Sequence, residues 1–180
     1  GNIVLEHDHT FSTSGITHNG GTYTGSTELN LTGIPFNLAS DFVYTDEMAP
    51  LKISQTTING PGKFINRSTT IFHDATVNCD LINELVLNVR STTDINNGLE
   101  NKTDGILRVQ GVYGHSGRLT IAEGFTNDGT IELTNNYSNA SASLIITNAD
   151  LINDGIIKSL TGEGGGTRLI NANIVNQGNI

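Results

Sequence analysis

Tryptophan is absent from this 180-residue chain, cysteine and methionine occur once each, and proline three times. Lysine and arginine number nine against eighteen Asp and Glu, giving a net charge of -9. Each shortage excludes something. A lone Cys79 closes no internal disulfide, which removes the small disulfide-stapled scaffolds. The cations are scattered singly, so no basic patch is available to neutralise phosphates and no nucleic-acid partner is expected. No apolar run approaches the roughly 20 residues of a membrane helix. No signal peptide or basic amphipathic stretch is present either, so no membrane insertion is expected. Apolar residues make up 36%, below the usual roughly 45–50% counted with glycine. Asn, Thr and the 21 glycines stand where helix formers would, and no period of 3.6 competes. A chain of this length buries roughly 70% of its unfolded surface as one domain.

What is there is a repeat. It reads apolar, any, Asn, any, usually Gly, any, apolar: Phe64-Ile65-Asn66, Leu81-Ile82-Asn83, Leu99-Glu100-Asn101, Phe125-Thr126-Asn127-Asp128-Gly129, Leu151-Ile152-Asn153-Asp154-Gly155 and Ile174-Val175-Asn176-Gln177-Gly178. Successive Asn residues are 17, 18, 26, 26 and 23 positions apart, about one coil of a β-solenoid each. Parity supports strands, because residues i, i+2 and i+4 share a face. Val77, Cys79, Leu81, Asn83, Leu85, Leu87 and Val89 fall on one parity, as do Leu119, Ile121, Phe125, Asn127, Gly129, Ile131 and Leu133. Their neighbours are mostly polar.

An Asn on the dry parity needs a reason, since a buried amide without partners costs about 1–3 kcal/mol. At a coil corner it can bond a freed backbone group and also the Asn of the next coil, roughly 4.8 Å away. Asn66, Asn83, Asn101, Asn127, Asn153 and Asn176 are therefore expected to form an inward ladder. The glycine two positions later suits a crowded turn or a positive φ. Leu144 and Ile146 fall out of step with Leu151, which predicts a corner or bulge between them. The chain is read as one solenoid segment over 1–180, with irregular or diverged coils in 1–60 and regular ones in 61–180. Asp41 to Pro50 is expected to protrude as an acidic loop, and Gln110 to Gly117, Asn135 to Ser141 and the flexible Gly162 to Gly166 run are further excursions. The chain starts on Gly1 and stops within its pattern at Asn179-Ile180, so it reads as a piece of something longer.

The segments Gly124-Phe125-Thr126-Asn127-Asp128-Gly129-Thr130-Ile131-Glu132-Leu133 and Leu151-Ile152-Asn153-Asp154-Gly155-Ile156-Ile157 resemble coils of bacterial surface and secreted repeat proteins of the filamentous-haemagglutinin and autotransporter-passenger kind. The resemblance spans about Pro61 to Ile180. It implies an all-β, right-handed parallel β-helix and a place outside the cell or on the bacterial surface.

Pectin-active enzymes share that fold. Asn101-Lys102-Thr103-Asp104-Gly105 is similar to their Asn-Thr-Asp run with an insertion, and Gly114-His115-Ser116-Gly117 to their Gly-His-Gly. The paired Asp and the Arg-Ile-Lys element are missing, and inversion needs two carboxyl groups roughly 6.5–9.5 Å apart. Asp104-Gly105 is more simply a tight turn. His7 and His9, with His18 later, are the only weak metal candidates, two imidazoles on one strand face where three or four ligands are expected. Asp94, Asp150 and Asp154 are isolated oxygen donors without a calcium motif. Asn-x-Ser/Thr triplets start at Asn30, Asn66, Asn101, Asn136 and Asn139, of which Asn136 and Asn139 fall in an expected loop. No cofactor and no catalysis are expected. The function expected is an extracellular structural or adhesive rod whose partners are neighbouring coils, copies of the same protein stacked end to end, or a host or matrix glycan or protein. Polysaccharide binding or degradation is the alternative.

Overall fold

Short apolar-polar alternations punctuated by Asn and Gly leave the backbone no helical option, and each strand must find its hydrogen bonds in the coils above and below. A computed structural model describes residues 1–6, 9–10 and 14–180, with the backbone alone for 9 and 10. Among these there is no helix, and parallel strands stack as a β-solenoid of about eight turns. Each regular coil has three faces. On the first, Phe42–Thr45, Phe64–Arg67, Leu81–Asn83, Leu99–Asn101 and Phe125–Asn127 lie over one another, followed by the last residues of Ala142–Asn153 and of Arg168–Asn176. The second face stacks Leu51–Ser54, the first half of Thr69–Asn78, the first half of Val86–Ile95, then Ile106–Gly111, Thr130–Asn135 and Ile156–Ser159. The third stacks Ile16–His18, Phe36–Leu38, Thr57–Asn59, the later halves of those two long strands, Gly117–Ile121 and Ala142–Ile146.

The register puts like over like. Val77, Cys79, Leu81, Leu87, Val89, Leu119, Ile121, Ile131 and Leu133 line one continuous interior with Phe36, Phe42, Phe64 and Phe72, all at most 2% exposed. Outside, Asn88, Arg108, Glu132 and Lys158 stack on successive coils, with Arg108 Nε 2.8 Å from Glu132 Oε2 and Lys158 Nζ 3.9 Å from Glu132 Oε1.

Two expectations need correction. Leu85 is 36% exposed: it lies in the bend between Leu81–Asn83 and Val86–Ile95, where strict alternation lapses, so parity cannot be counted through it. Asp41 to Pro50 is no protruding loop. Phe42 and Tyr44 point inward from a strand, Ala49 is 2% exposed, and only the turn near Glu47 stands out. Within 1–60, Ile16–His18, Phe36–Leu38, Phe42–Thr45, Leu51–Ser54 and Thr57–Asn59 stack in parallel up to the regular coils, whereas Asn2–Leu5 and Thr22–Gly25 pair with each other in a separate two-stranded sheet. The slip between Leu144 and Leu151 is a register shift between Ile145 and Asp150, as expected.

Candidate functional site

The corner between the first and second faces carries the asparagines. Asn66, Asn83, Asn101, Asn127 and Asn153 are wholly buried. The Nδ2 of each donates to the Oδ1 of the next, up to Asn176, over 2.6–2.8 Å. The remaining amide hydrogen goes to turn carbonyls such as Gly129 and Gly155. Meanwhile the main-chain carbonyl of Asn127 accepts the N–H groups of both Asp154 and Gly155 at 2.9 and 2.8 Å. This double contact brings successive turns so close that a methyl on Gly155 would overlap the Gly129 carbonyl, and one on Gly178 the Gly155 carbonyl. Close approach of backbones is thus what these glycines supply. Below, the ladder is closed: the Thr70 hydroxyl donates to Asn66 Oδ1 at 2.5 Å. At the other end Asn176 is exposed, and its Nδ2 donates to the Gly178 carbonyl of its own turn. Sequence reading missed a second, outer ladder on the third face, where Asn59 donates to Asn37, Asn78 to Asn59 and Asn96 to Asn78 at 2.7–3.0 Å. It runs with the opposite polarity. Its only sequence signal was an Asn within or next to the end of four successive third-face strands, Asn37, Asn59, Asn78 and Asn96.

The corner between the second and third faces carries the variable chemistry. In the lower coils one residue turns it, and Gly33, Gln55, Asp74 and Ser91 do so with φ of 52–68°. In the three upper coils it is replaced by excursions: a hairpin at 112–116, a loop at 136–140 and a loop at 160–167. These loops explain most of the longer spacings of the later Asn residues, and they stand on one edge. The Gly162 to Gly166 run is not a flexible corner. Asn135, buried beneath it, donates to the carbonyls of Ala140, Gly164 and Gly165 and accepts the Glu163 N–H, while Arg168 donates to the carbonyls of Leu160, Thr161 and Gly165.

Where tight corners give way to loops, four polar side chains meet. Ser91 Oγ donates to Asp74 Oδ1 at 2.6 Å, and the Thr92 N–H donates to the same oxygen at 3.1 Å. His115 folds down from the hairpin to place Nδ1 3.4 Å from Ser91 Oγ, and its ring stands edge-on to that of His73 at 5.1 Å. Burial alone would raise the Asp74 carboxyl, but the two hydrogen bonds and the neighbouring imidazoles outweigh it and hold the group below its ordinary range. The residue types are those of a hydrolytic triad in the wrong order. Acyl transfer needs the imidazole to take the serine proton while the carboxylate orients the imidazole. Here the Ser91 hydroxyl donates its hydrogen bond to the carboxylate instead. The arrangement braces a corner and seats the hairpin.

Above it, Tyr113 and Tyr137 stand 75% and 44% exposed on two different loops, with ring centroids 4.7 Å apart and planes at 84°. Beside them runs a groove of about 210 Å³ between His115 and Ser116 on one wall and Ser138 and Asn139 on the other.

The remaining sequence candidates lie elsewhere. Asp104 is exposed in a turn closed by the Gly105 N–H on the Lys102 carbonyl, at the ladder corner rather than the looped edge. His7 and the His9 side chain fall outside the described residues. His18 is buried against Tyr23, Phe36 and Phe42, and among the described residues no three His, Cys, Asp or Glu side chains gather as a metal site needs. Cys79 is buried, which pushes its thiol up to about 12 against a smaller lowering by the Phe64 backbone and a further push from Asp80. Asn136 and Asn139 are exposed, whereas Asn66 and Asn101 are sealed inside. No described helix is long and apolar enough to cross a membrane. The arrangement defines a parallel β-solenoid with an internal asparagine ladder and one looped edge. No protein-family profile, curated protein or solved structure matches the chain.

Proposed function

We propose that this chain is a non-catalytic rod module of a bacterial surface or extracellular filament-forming protein, of the kind its repeat resembles. The observation that carries this reading is the ladder, in which each buried amide from Asn66 to Asn153 donates to the next. Such a stack adds roughly 4.8 Å per coil, so about eight coils span some 40 Å. Because each amide has a donor on one side and an acceptor on the other, such a ladder runs through any number of coils, and its strand edges are pairing templates for further coils or for a second copy. Length is then set by the number of coils, and the pinned loops on one edge are what the rod holds out to a host or matrix partner. Antibody labelling of intact cells that produce the protein tests the location. Labelling without permeabilisation is expected, and labelling only after permeabilisation overturns the reading. Its non-catalytic part fails if the purified protein releases reducing ends or unsaturated sugars from a polysaccharide.

A second reading, polysaccharide binding, draws on the exposed Tyr113 and Tyr137 pair alone.

A further inference from the structure

We infer that the groove between the hairpin at 112–116 and the loop at 136–140, with Tyr137 in its wall and the exposed ring of Tyr113 standing beside it, is a binding site for a neutral oligosaccharide that stacks on this aromatic pair. This deepens the reading of the looped edge as the presented surface. Singly exposed rings are ordinary, but two that meet on one edge form an apolar patch, and among the described aromatic rings Tyr113 is the most exposed. The ring is not loose: it rests edge-on against Tyr137. The hairpin below it is closed by reciprocal hydrogen bonds between Val112 and His115 at 2.8 and 3.0 Å. The partner loop is anchored by the Ala140 N–H on the Tyr137 carbonyl at 3.2 Å and by the Asn139 N–H on the Gly164 carbonyl at 3.2 Å. A site with its walls fixed before the ligand arrives loses little entropy on binding.

The chemistry of the walls selects the ligand. An exposed aromatic face suits a ring with an apolar C–H surface, and the hydroxyls of Ser116 and Ser138, the Asn139 amide and the His115 imidazole offer donors and acceptors at its rim. A pyranose has both features. No Lys or Arg lines the groove, so a phosphate, sulfate or uronate would find no counter-charge, and no Asp or Glu lines it to hold a cation. At about 210 Å³ the groove is smaller than the roughly 300 Å³ of pockets that engulf a drug-sized molecule. It therefore takes a stretch of a longer saccharide lying across the edge.

The test titrates the purified chain with cellohexaose, xylohexaose, mannohexaose and chitohexaose by calorimetry and by amide NMR. At least one is expected to bind, with shifts confined to residues 112–117 and 135–141. Tyr113→Ala is expected to weaken that binding at least about tenfold, a stacking loss of some 1.4 kcal/mol, while Tyr113→Phe retains it and the unfolding midpoint of both stays in place. Ser138→Ala with Asn139→Ala checks the rim without touching the rings and is expected to weaken binding too. No binding by any of the four sugars, shifts centred elsewhere, or full affinity in Tyr113→Ala overturns the site. These failures leave the rod reading standing, since cell labelling tests that separately.

Discussion

The coils below Asn66 and those above it solve the same corner with different chemistry. In the upper coils an amide occupies the corner and hands its hydrogen bond to the next amide, so every rung needs another. In the coil below, the register position of Asn66 is Tyr44. Its hydroxyl accepts the Leu51 N–H at 3.1 Å, and its ring stacks at 17° on Phe42, which also touches Phe36, Phe64 and His18. Both devices serve corner backbone groups, but only the amide propagates. What the corner needs is a polar atom at the right height; repetition comes from the amide's having a donor on one side and an acceptor on the other. The lower coils are packed by an aromatic plug, and the upper ones by a stack in which each amide serves the next.

The comparison breaks if the ladder contributes nothing. Asn101→Ala strips an acceptor from Asn83 and a donor from Asn127 at once, both in the dry interior. With about 1–3 kcal/mol for each orphaned group, a loss of about 3–5 kcal/mol is expected, read as a lower urea midpoint at unchanged slope. A loss below about 1 kcal/mol would mean that the amides merely fill space. Gly155→Ala probes the turn packing without touching an amide. Its methyl has only backbone to push against, so about 2–3 kcal/mol is expected, again from the urea midpoint.

Tyr44→Phe sharpens the contrast from below. Removing one hydroxyl leaves the Leu51 N–H, a half-buried group, without its partner, for about 1 kcal/mol. Because no second rung depends on Tyr44, the effect should be a fraction of that at Asn101. Equal losses at the two sites would erase the distinction between a plug and a ladder.

His18 gives the plug a pH signature that the ladder lacks. Burial lowers its pKa, against a smaller raising by the Asp41 backbone. The unfolded chain therefore takes up a proton near pH 6.5 that the folded chain refuses until lower pH. Stability from this group is complete above about 6.5, falls as pH drops toward the depressed value, and levels off below it. His18→Phe keeps a ring in the cluster and removes the titration. The midpoint difference between the two proteins should drift in favour of the variant from pH 7.5 to 5.5, and a drift the other way would mean that His18 is paired and charged.

Most of the stack was legible because two periodicities coincide: alternation sets each side chain's face, and the recurring Asn sets the coil. The same logic placed the three excursions, since extra length between rungs must leave the stack somewhere. It could not show that all three leave at one corner, because spacing alone does not say which of three corners absorbs an insertion. Nor could it join Asp74, Ser91 and His115, or Tyr113 and Tyr137, which lie 17 to 24 residues apart and meet only through the register of neighbouring coils. The aromatic plug escaped because its residues follow no repeat, and Asp41 to Pro50 was judged by its acids while Phe42 and Tyr44 alternated inward.

The smallest expected effect is at the place where parity counting itself fails. Leu85 has the same parity as Leu87, yet it is 36% exposed while Leu87 is fully buried. Between them the chain bends, with the Asn83 amide bonding the Leu85 carbonyl at 3.3 Å and the Ile106 N–H meeting that carbonyl from the coil above at 2.5 Å. The backbone of Leu85 is thus held by the ladder while its side chain is turned outward, so Leu85→Asp should cost about 0.5 kcal/mol, the scale of a surface change. A loss of several kcal/mol, as a carboxylate among buried aliphatics would bring, would return Leu85 to the interior and make the bend after Asn83 a continuation of the strand. The upper coils would then turn somewhere other than at their amides, and the distinction between the two ends would rest on the aromatic plug alone.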